Sequence, residues 1–204
     1  MLTSRRSLLA AASLLPTLAL RPAAAQGSDP RMADRVLGPA DAKVTVQEFF
    51  SLTCTHCAAF MKETFPRVRA ELIDTGKIRY VFRDFPLDQV ALAAAMVARA
   101  LPPERYEPFV SALLATQDRW AFARGVNPTE ELAKMAALAG MPRATFDATI
   151  ADDGLKTAIL AAQEQGEKRY KVDSTPTFVM NDRASPGAIG FDAFRRAVEA
   201  AAAG

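Results

Sequence analysis

The only two cysteines and the only histidine of the 204-residue sequence stand together in Cys54-Thr55-His56-Cys57. Cysteines at this spacing lie one turn apart on the same face of a helix, close enough to bridge. An apolar run, Val44 to Phe50, precedes the pair, and Met61, Phe65, Val68 and Leu72 follow it at helical spacing. The pair therefore falls where a buried strand ends and a helix begins. There the unpaired N–H groups and the helix dipole favour a negative charge, so Cys54 is expected to hold a stabilised thiolate. His56, between the cysteines, can add a donor or a positive charge. Stabilising the thiolate favours the dithiol over the disulfide, which makes the disulfide an oxidant that can be passed on. Cys57, one turn further in, is placed to act as the resolving thiol.

Two plainer chemistries use the same residues. A structural disulfide is possible, although so short a loop removes little entropy from the unfolded chain. Zinc normally takes four ligands, and no second Cys or His pair exists to complete a site.

The elements that position the pair can be read on either side of it. Glu48 interrupts the apolar strand, six residues before Cys54. It faces solvent if the strand is an edge. If the strand is central, it is a buried carboxylate that relays a proton as Cys57 ionises, with desolvation raising its pKa towards the working range. The helix is expected over 54–75, kinked at Pro66 and stopped by Gly76. Ile78 to Phe82 gives a second strand, completing a βαβ unit with a parallel sheet. Residues 87–171 are helical in pattern throughout, broken at Pro102-Pro103, Asn127-Pro128 and Gly140-Met141-Pro142, and read as an inserted helical subdomain. Trp120 and Phe122 fall in a linker inside it, with core packing expected for both in preference to a substrate-facing surface. Pro176 opens a further strand, Thr177 to Met180. The chain closes with a turn at Asp182-Arg183, a short strand near Ala188-Ile189 and a helix over 191–203 that buries Phe191, Phe194 and Val198.

Residues 1–25 have the form of a secretion signal: Arg5-Arg6, an apolar run of 13 residues from Leu8 to Leu20, then Ala23-Ala24-Ala25. That run is short for a bilayer span. Ser4-Arg5-Arg6-Ser7-Leu8-Leu9 loosely resembles a twin-arginine signal. Removing residues 1–25 takes away three arginines and no acid, so the net charge of +2 becomes −1, and nothing in it argues for a nucleic-acid partner. An exported chain meets an oxidising compartment, which suits disulfide chemistry. Residues 26–43 are a polar lead-in containing Pro30 and Gly38-Pro39.

Three stretches together carry a resemblance. Glu48-Phe49-Phe50-Ser51 runs into the cysteine pair, Phe82-Arg83-Asp84-Phe85-Pro86-Leu87 ends the second strand, and Thr175-Pro176-Thr177-Phe178 opens the third. The sequence resembles the exported, DsbA-like family of thioredoxin-fold thiol:disulfide oxidoreductases. The resemblance implies an α/β thioredoxin-like fold over 44–86 and 172–204, with 87–171 as its helical insertion. It implies a nucleophilic Cys54, a resolving Cys57, a buried acid at Glu48, and a cis Pro176 facing Cys54 that leaves the Thr175 backbone free to pair with extended substrate. His56 joins these as a catalytic candidate, and Thr55 and Thr175 are candidate substrate contacts. Implied partners are unfolded or reduced exported proteins and a quinone-linked membrane protein as reoxidant, in the periplasm and without a cofactor. The best-known oxidases of the family carry Pro-His where this chain has Thr55-His56, and an apolar residue where it has Thr175. Relatives with threonine there include isomerases, which usually carry an N-terminal dimerisation domain. The sequence favours a monomeric oxidase, with isomerase or reductase activity as the alternative. From a different class comes a copper-binding metallochaperone, since copper(I) accepts two soft thiolates.

Overall fold

The computed structural model describes residues 29–204, so the signal expected over 1–25 lies outside the described residues. Five strands form one sheet: β1 (Arg35–Leu37), β2 (Val44–Phe50), β3 (Ile78–Asp84), β4 (Thr177–Met180) and β5 (Arg183–Pro186), in the order β1-β3-β2-β4-β5. β2 and β3 run parallel and the other pairings are antiparallel. β2 is thus the central strand, and Glu48 is paired on both sides, with Phe82 and with Phe178.

Helix α1 (Thr55–Glu63) follows β2, with Cys54 as its N-cap. It is not continuous to residue 75. It caps at Thr64 and resumes as α2 (Phe65–Val68), followed by a wider π-helical turn over Arg69–Ile73. Pro66 is the reason: it has no N–H to donate and its ring crowds the carbonyl four residues back. At Gly76 the chain turns with a φ of +75°.

Six helices stand between β3 and β4: α3 (Gln89–Ala100), α4 (Pro103–Ala115), α5 (Gln117–Trp120), α6 (Pro128–Leu138), α7 (Arg143–Ile150) and α8 (Asp153–Tyr170). The last helix, α9 (Phe191–Ala203), returns to the sheet. This is a thioredoxin-like fold with a helical insertion. α1 and α9 cover one face of the sheet, where Phe60, Phe178 and Phe194 stack with ring centroids 4.6–5.9 Å apart. α8 covers the other face. Its Gly166 lets the Phe49 ring sit so close that an added Cβ would lie 2.4 Å from Cε1. In α3 nearly every side chain from Ala91 to Arg99 is buried, as expected of a helix enclosed by its neighbours.

The end of β3 is tied to the insertion by a buried polar cluster. Arg99 Nε donates to Asp84 Oδ2 at 2.5 Å and Tyr106 Oη donates to Asp84 Oδ1 at 3.0 Å. Arg99 also reaches the Ala33 carbonyl, and Arg35 reaches the carbonyl of Arg99. The stretch over 26–43 is therefore more than a lead-in: from residue 29 on it supplies a helical turn and the edge strand β1. Three other expectations change. The closing strand is Arg183–Pro186, not Ala188-Ile189, because Asn181 and Asp182 take positive φ and turn the chain back immediately after β4. Trp120 belongs to the short helix α5 and is buried, its indole Nε1 donating to the Leu113 carbonyl at 2.8 Å. Phe122, expected in the core, is 52% exposed.

Candidate active site

The site lies at the carboxyl end of β2. From Phe50 the chain makes a turn in which Cys54 N–H donates to the Ser51 carbonyl at 3.1 Å. Its side chains are tied down locally. Thr53 Oγ1 donates to Asp88 Oδ2 at 2.7 Å, and Asp88 also caps α3. From the insertion, Gln117 Nε2 donates to the carbonyls of Leu52 and Cys54 at 2.8 and 3.0 Å. Gln117 is buried, and its amide is the donor to the Leu52 carbonyl, while the Cys54 carbonyl also accepts from the Ala58 N–H at 3.1 Å.

Held this way, Cys54 caps α1 with its own sulfur: the Cys57 N–H donates to Sγ at 3.4 Å. Sγ in turn donates to the Thr175 carbonyl at 3.3 Å. Hydrogen bonding from the Cys57 thiol comes first among the causes that lower the Cys54 pKa, with contributions from the Cys57 and His56 backbone N–H groups. Burial opposes them, and the result is a value of about 5. That places Cys54 among thiols ionised at neutral pH. Cys57 is fully buried, and desolvation pushes its thiol far up, with the Cys54 hydrogen bond and the Glu48 charge acting the same way. Both residues are free thiols in this structure.

Glu48 is 0% exposed in the central strand, which rules out the solvent-facing alternative. Burial pushes its carboxyl up to about 7, partly offset by a hydrogen bond from Tyr80. Tyr80 Oη donates to Oε2 at 2.6 Å, while Oε1 is buried without a partner. The peptide bond between Thr175 and Pro176 is cis, and Thr175 Oγ1 is likewise buried without a partner. Thr55 and His56 stand exposed at the rim.

The structure therefore brings Glu48, Cys54, Cys57, Thr175 and Pro176 together and leaves Thr55 and His56 facing solvent beside them. Two residues of the site carry no signal in the sequence. Tyr80 reads as one more aromatic in a buried strand, and Gln117 as a polar position at the end of a helix. Their significance depends on the β2–β3 register and on how the insertion docks. Among the described residues no group of three or more His, Cys, Asp or Glu side chains is placed to hold a metal ion, and no helix is long and apolar enough to cross a membrane.

Comparison with known proteins follows the same outline. A family model described as thioredoxin matches residues 31–200. A Rickettsia prowazekii protein named for protein-disulfide oxidoreductase activity is 33% identical over 149 residues, covering 72% of this chain and 54% of that protein. The chain thus spans little more than half the length of the Rickettsia relatives it matches. The thiol:disulfide interchange protein DsbA of Bordetella parapertussis is 29% identical over 199 residues, covering 93% of this chain and 90% of that one. Among solved structures, α-DsbA1 of Wolbachia pipientis superposes with a TM-score of 0.76 at 28% identity, over 84% of this chain and 92% of that one. With its cysteine pair capping a helix against the Thr175-Pro176 peptide, and helices inserted between β3 and β4, the chain belongs to the thioredoxin superfamily as a DsbA-like member.

Proposed function

We propose that this protein is a thiol:disulfide oxidoreductase that donates a Cys54–Cys57 disulfide to reduced, exported proteins. The observation that carries the reading is the separation of the two thiols. Cys54 sits on a helix N-terminus with its pKa held at about 5, and Cys57, three residues on, is buried with its thiol pushed far up.

In this reading a substrate thiolate attacks Cys54 Sγ. A mixed disulfide forms, the Cys54–Cys57 bond breaks, and Cys57 leaves as a thiolate that takes a proton from Glu48. A second substrate thiolate then attacks the substrate sulfur of the mixed disulfide and Cys54 leaves as a thiolate. Two electrons pass from substrate to protein, and the substrate is left with a disulfide. Cys54 is the better leaving group because its thiolate is the more stable of the two. Extended substrate runs alongside the Thr175-Pro176 segment, with Thr55 and His56 at the rim. Periplasmic residence, a monomeric state and a quinone-linked membrane protein as reoxidant complete the proposal.

The test is a redox equilibrium of the pair across a glutathione series, with oxidative refolding of a reduced, unfolded protein measured alongside. The expected potential lies well above the roughly −300 mV below which structural disulfides fall. Stoichiometric disulfide transfer is expected from the oxidised protein and none from Cys54→Ser. A potential near that of a cytosolic reductase would reverse the direction proposed. A pair that resists reduction throughout would make the bridge structural.

A further inference from the structure

The carboxyl group of Glu48 is held by one partner only. Tyr80 Oη donates to Oε2 at 2.6 Å, and no other hydrogen bond to the Glu48 carboxyl exists among the described residues. Both side chains are 0% exposed. Oε1 has no partner and no water access. The remaining neighbours are few: Cys54 and Cys57 act on this pair from α1, and β4 places the untitratable Phe178 opposite Glu48. Among the described residues no lysine or arginine bonds to the carboxyl.

This asymmetry determines where a proton can reside. A phenol has one hydrogen, and here it points at Oε2. A proton placed on Oε2 would face that hydrogen, and among the described residues the Tyr80 hydroxyl has no hydrogen-bond partner other than Glu48 to turn towards. On Oε1 a proton meets no such conflict. It also relieves an otherwise unpaired buried oxygen, which is costly while charged.

We infer that Tyr80 is a positioning residue for the proton exchanged with Cys57: by occupying Oε2 as a donor, it makes Oε1 the atom that accepts and returns that proton. The inference rests on the relay assigned to Glu48 above. The step it governs is intramolecular. When Cys57 attacks the Cys54 sulfur of a mixed disulfide, its S–H proton passes to Glu48 Oε1, the Cys54–Cys57 bond forms, and the former partner leaves as a thiolate. In the opposite direction Oε1 returns the proton to the departing Cys57 sulfur. Tyr80 also favours the ionised carboxyl, so it sets the pH at which Glu48 is ready to accept.

The experiment uses oxidised glutathione as the probe. Reduced protein is mixed with an excess, and decay of the Cys54–glutathione mixed disulfide is followed by acid quench and mass spectrometry from about pH 5 to about pH 9. Glu48→Gln is expected to remove the rise of this rate across neutral pH. Tyr80→Phe keeps the ring that packs on Phe65 and Phe82 and is expected to move the midpoint of the rise upward by about one pH unit or more, the size of a lost hydrogen bond to a charged group. The double variant should match Glu48→Gln alone. Carbon-13 NMR of the Glu48 carboxyl in Tyr80→Phe should show the same upward move, which a loss of packing alone would not produce. If Glu48→Gln abolishes the rise but Tyr80→Phe leaves both midpoints in place, or if the double variant loses further rate, the inference is wrong and the relay stands. If Glu48→Gln keeps the rise, the relay itself fails and the inference with it.

Discussion

Acidifying the reduced protein should remove a stabilising charge that the disulfide form does not possess. Cys54 titrates at about 5 in the folded dithiol, against 9.0 for an unperturbed thiol. Between these values the unfolded reduced chain binds more protons than the folded one, so stability rises with pH across that window and is lost as pH falls through about 5. At about pH 7 the thiolate fraction is ~99% rather than ~1%, and the folded reduced state gains about 2–3 kcal/mol. At about pH 5 the gain shrinks to well under about 1 kcal/mol by the same relation. The same ~100-fold preference raises the reduction potential at neutral pH by ~60 mV. The cross-link does not titrate, but the Cys54 charge raises the Glu48 carboxyl in the dithiol alone, so the comparison is made in the Glu48→Gln background, where the difference between the forms isolates Cys54. The assay is urea unfolding of reduced and oxidised protein across this range, with ultraviolet thiolate absorbance of the reduced form beside it. Cys57 stays a thiol throughout, so the absorbance reports Cys54 alone. A reduced-minus-oxidised difference that stays flat from about pH 5 to about pH 8, or an absorbance step centred near 9.0, would refute the reasoning.

Three further outcomes follow from contacts away from the sulfurs. Gln117→Ala leaves the buried Leu52 carbonyl without its donor, while the Cys54 carbonyl keeps the Ala58 N–H, and should cost about 1–3 kcal/mol in urea unfolding. Arg99→Ala strands the Asp84 carboxylate in the core, and unfolding should show a loss of about 3–5 kcal/mol, far more than removing the exposed pair between Arg143 and Asp147. Gly166→Ala drives a methyl group into the buried Phe49 ring, and a drop in thermal midpoint corresponding to about 1–3 kcal/mol is expected.

The parts of this molecule that local chemistry dictates are visible in its sequence. The cysteine spacing, the apolar run before it, the helix stops at Gly76 and Pro102 and the proline opening β4 each depend on a few adjacent residues. What escaped depends on partners distant in sequence. Arg35-Val36-Leu37 has no strand pattern of its own and is ordered by pairing with β3. β5 is polar and largely exposed, and it exists because the turn after β4 folds it back, while the more apolar Ala188-Ile189 only looks like a strand. Trp120 and Phe122 are two residues apart and equally apolar, yet one is buried and the other stands in solvent, because α5 ends between them. Tyr80 is the sharpest case. A tyrosine in an apolar strand reads as core, and only the offset between β2 and β3 brings its hydroxyl to the one carboxylate at the centre of the sheet.

The insertion is bound into the site rather than appended to it. A thiolate at a helix N-terminus is stabilised only while the backbone N–H groups keep pointing at it, and a surface turn between a strand and a helix is a mobile place to store that geometry. Here the turn is fixed from both sides. Gln117 holds its carbonyls from α5, and Asp88, which caps α3, holds Thr53. At the end of β3, Arg99 of α3 and Tyr106 of α4 lock Asp84 to the same insertion. Loosening any of these frees the Cys54 sulfur from its donors and lets its pKa rise towards the ordinary thiol value. The reduction potential of the pair is therefore linked to the docking of helices that never touch the sulfurs. Variants in α3–α5 that weaken docking should lower the reduction potential in proportion to the rise they cause in the Cys54 midpoint, at about 30 mV for each tenfold loss of thiolate stability.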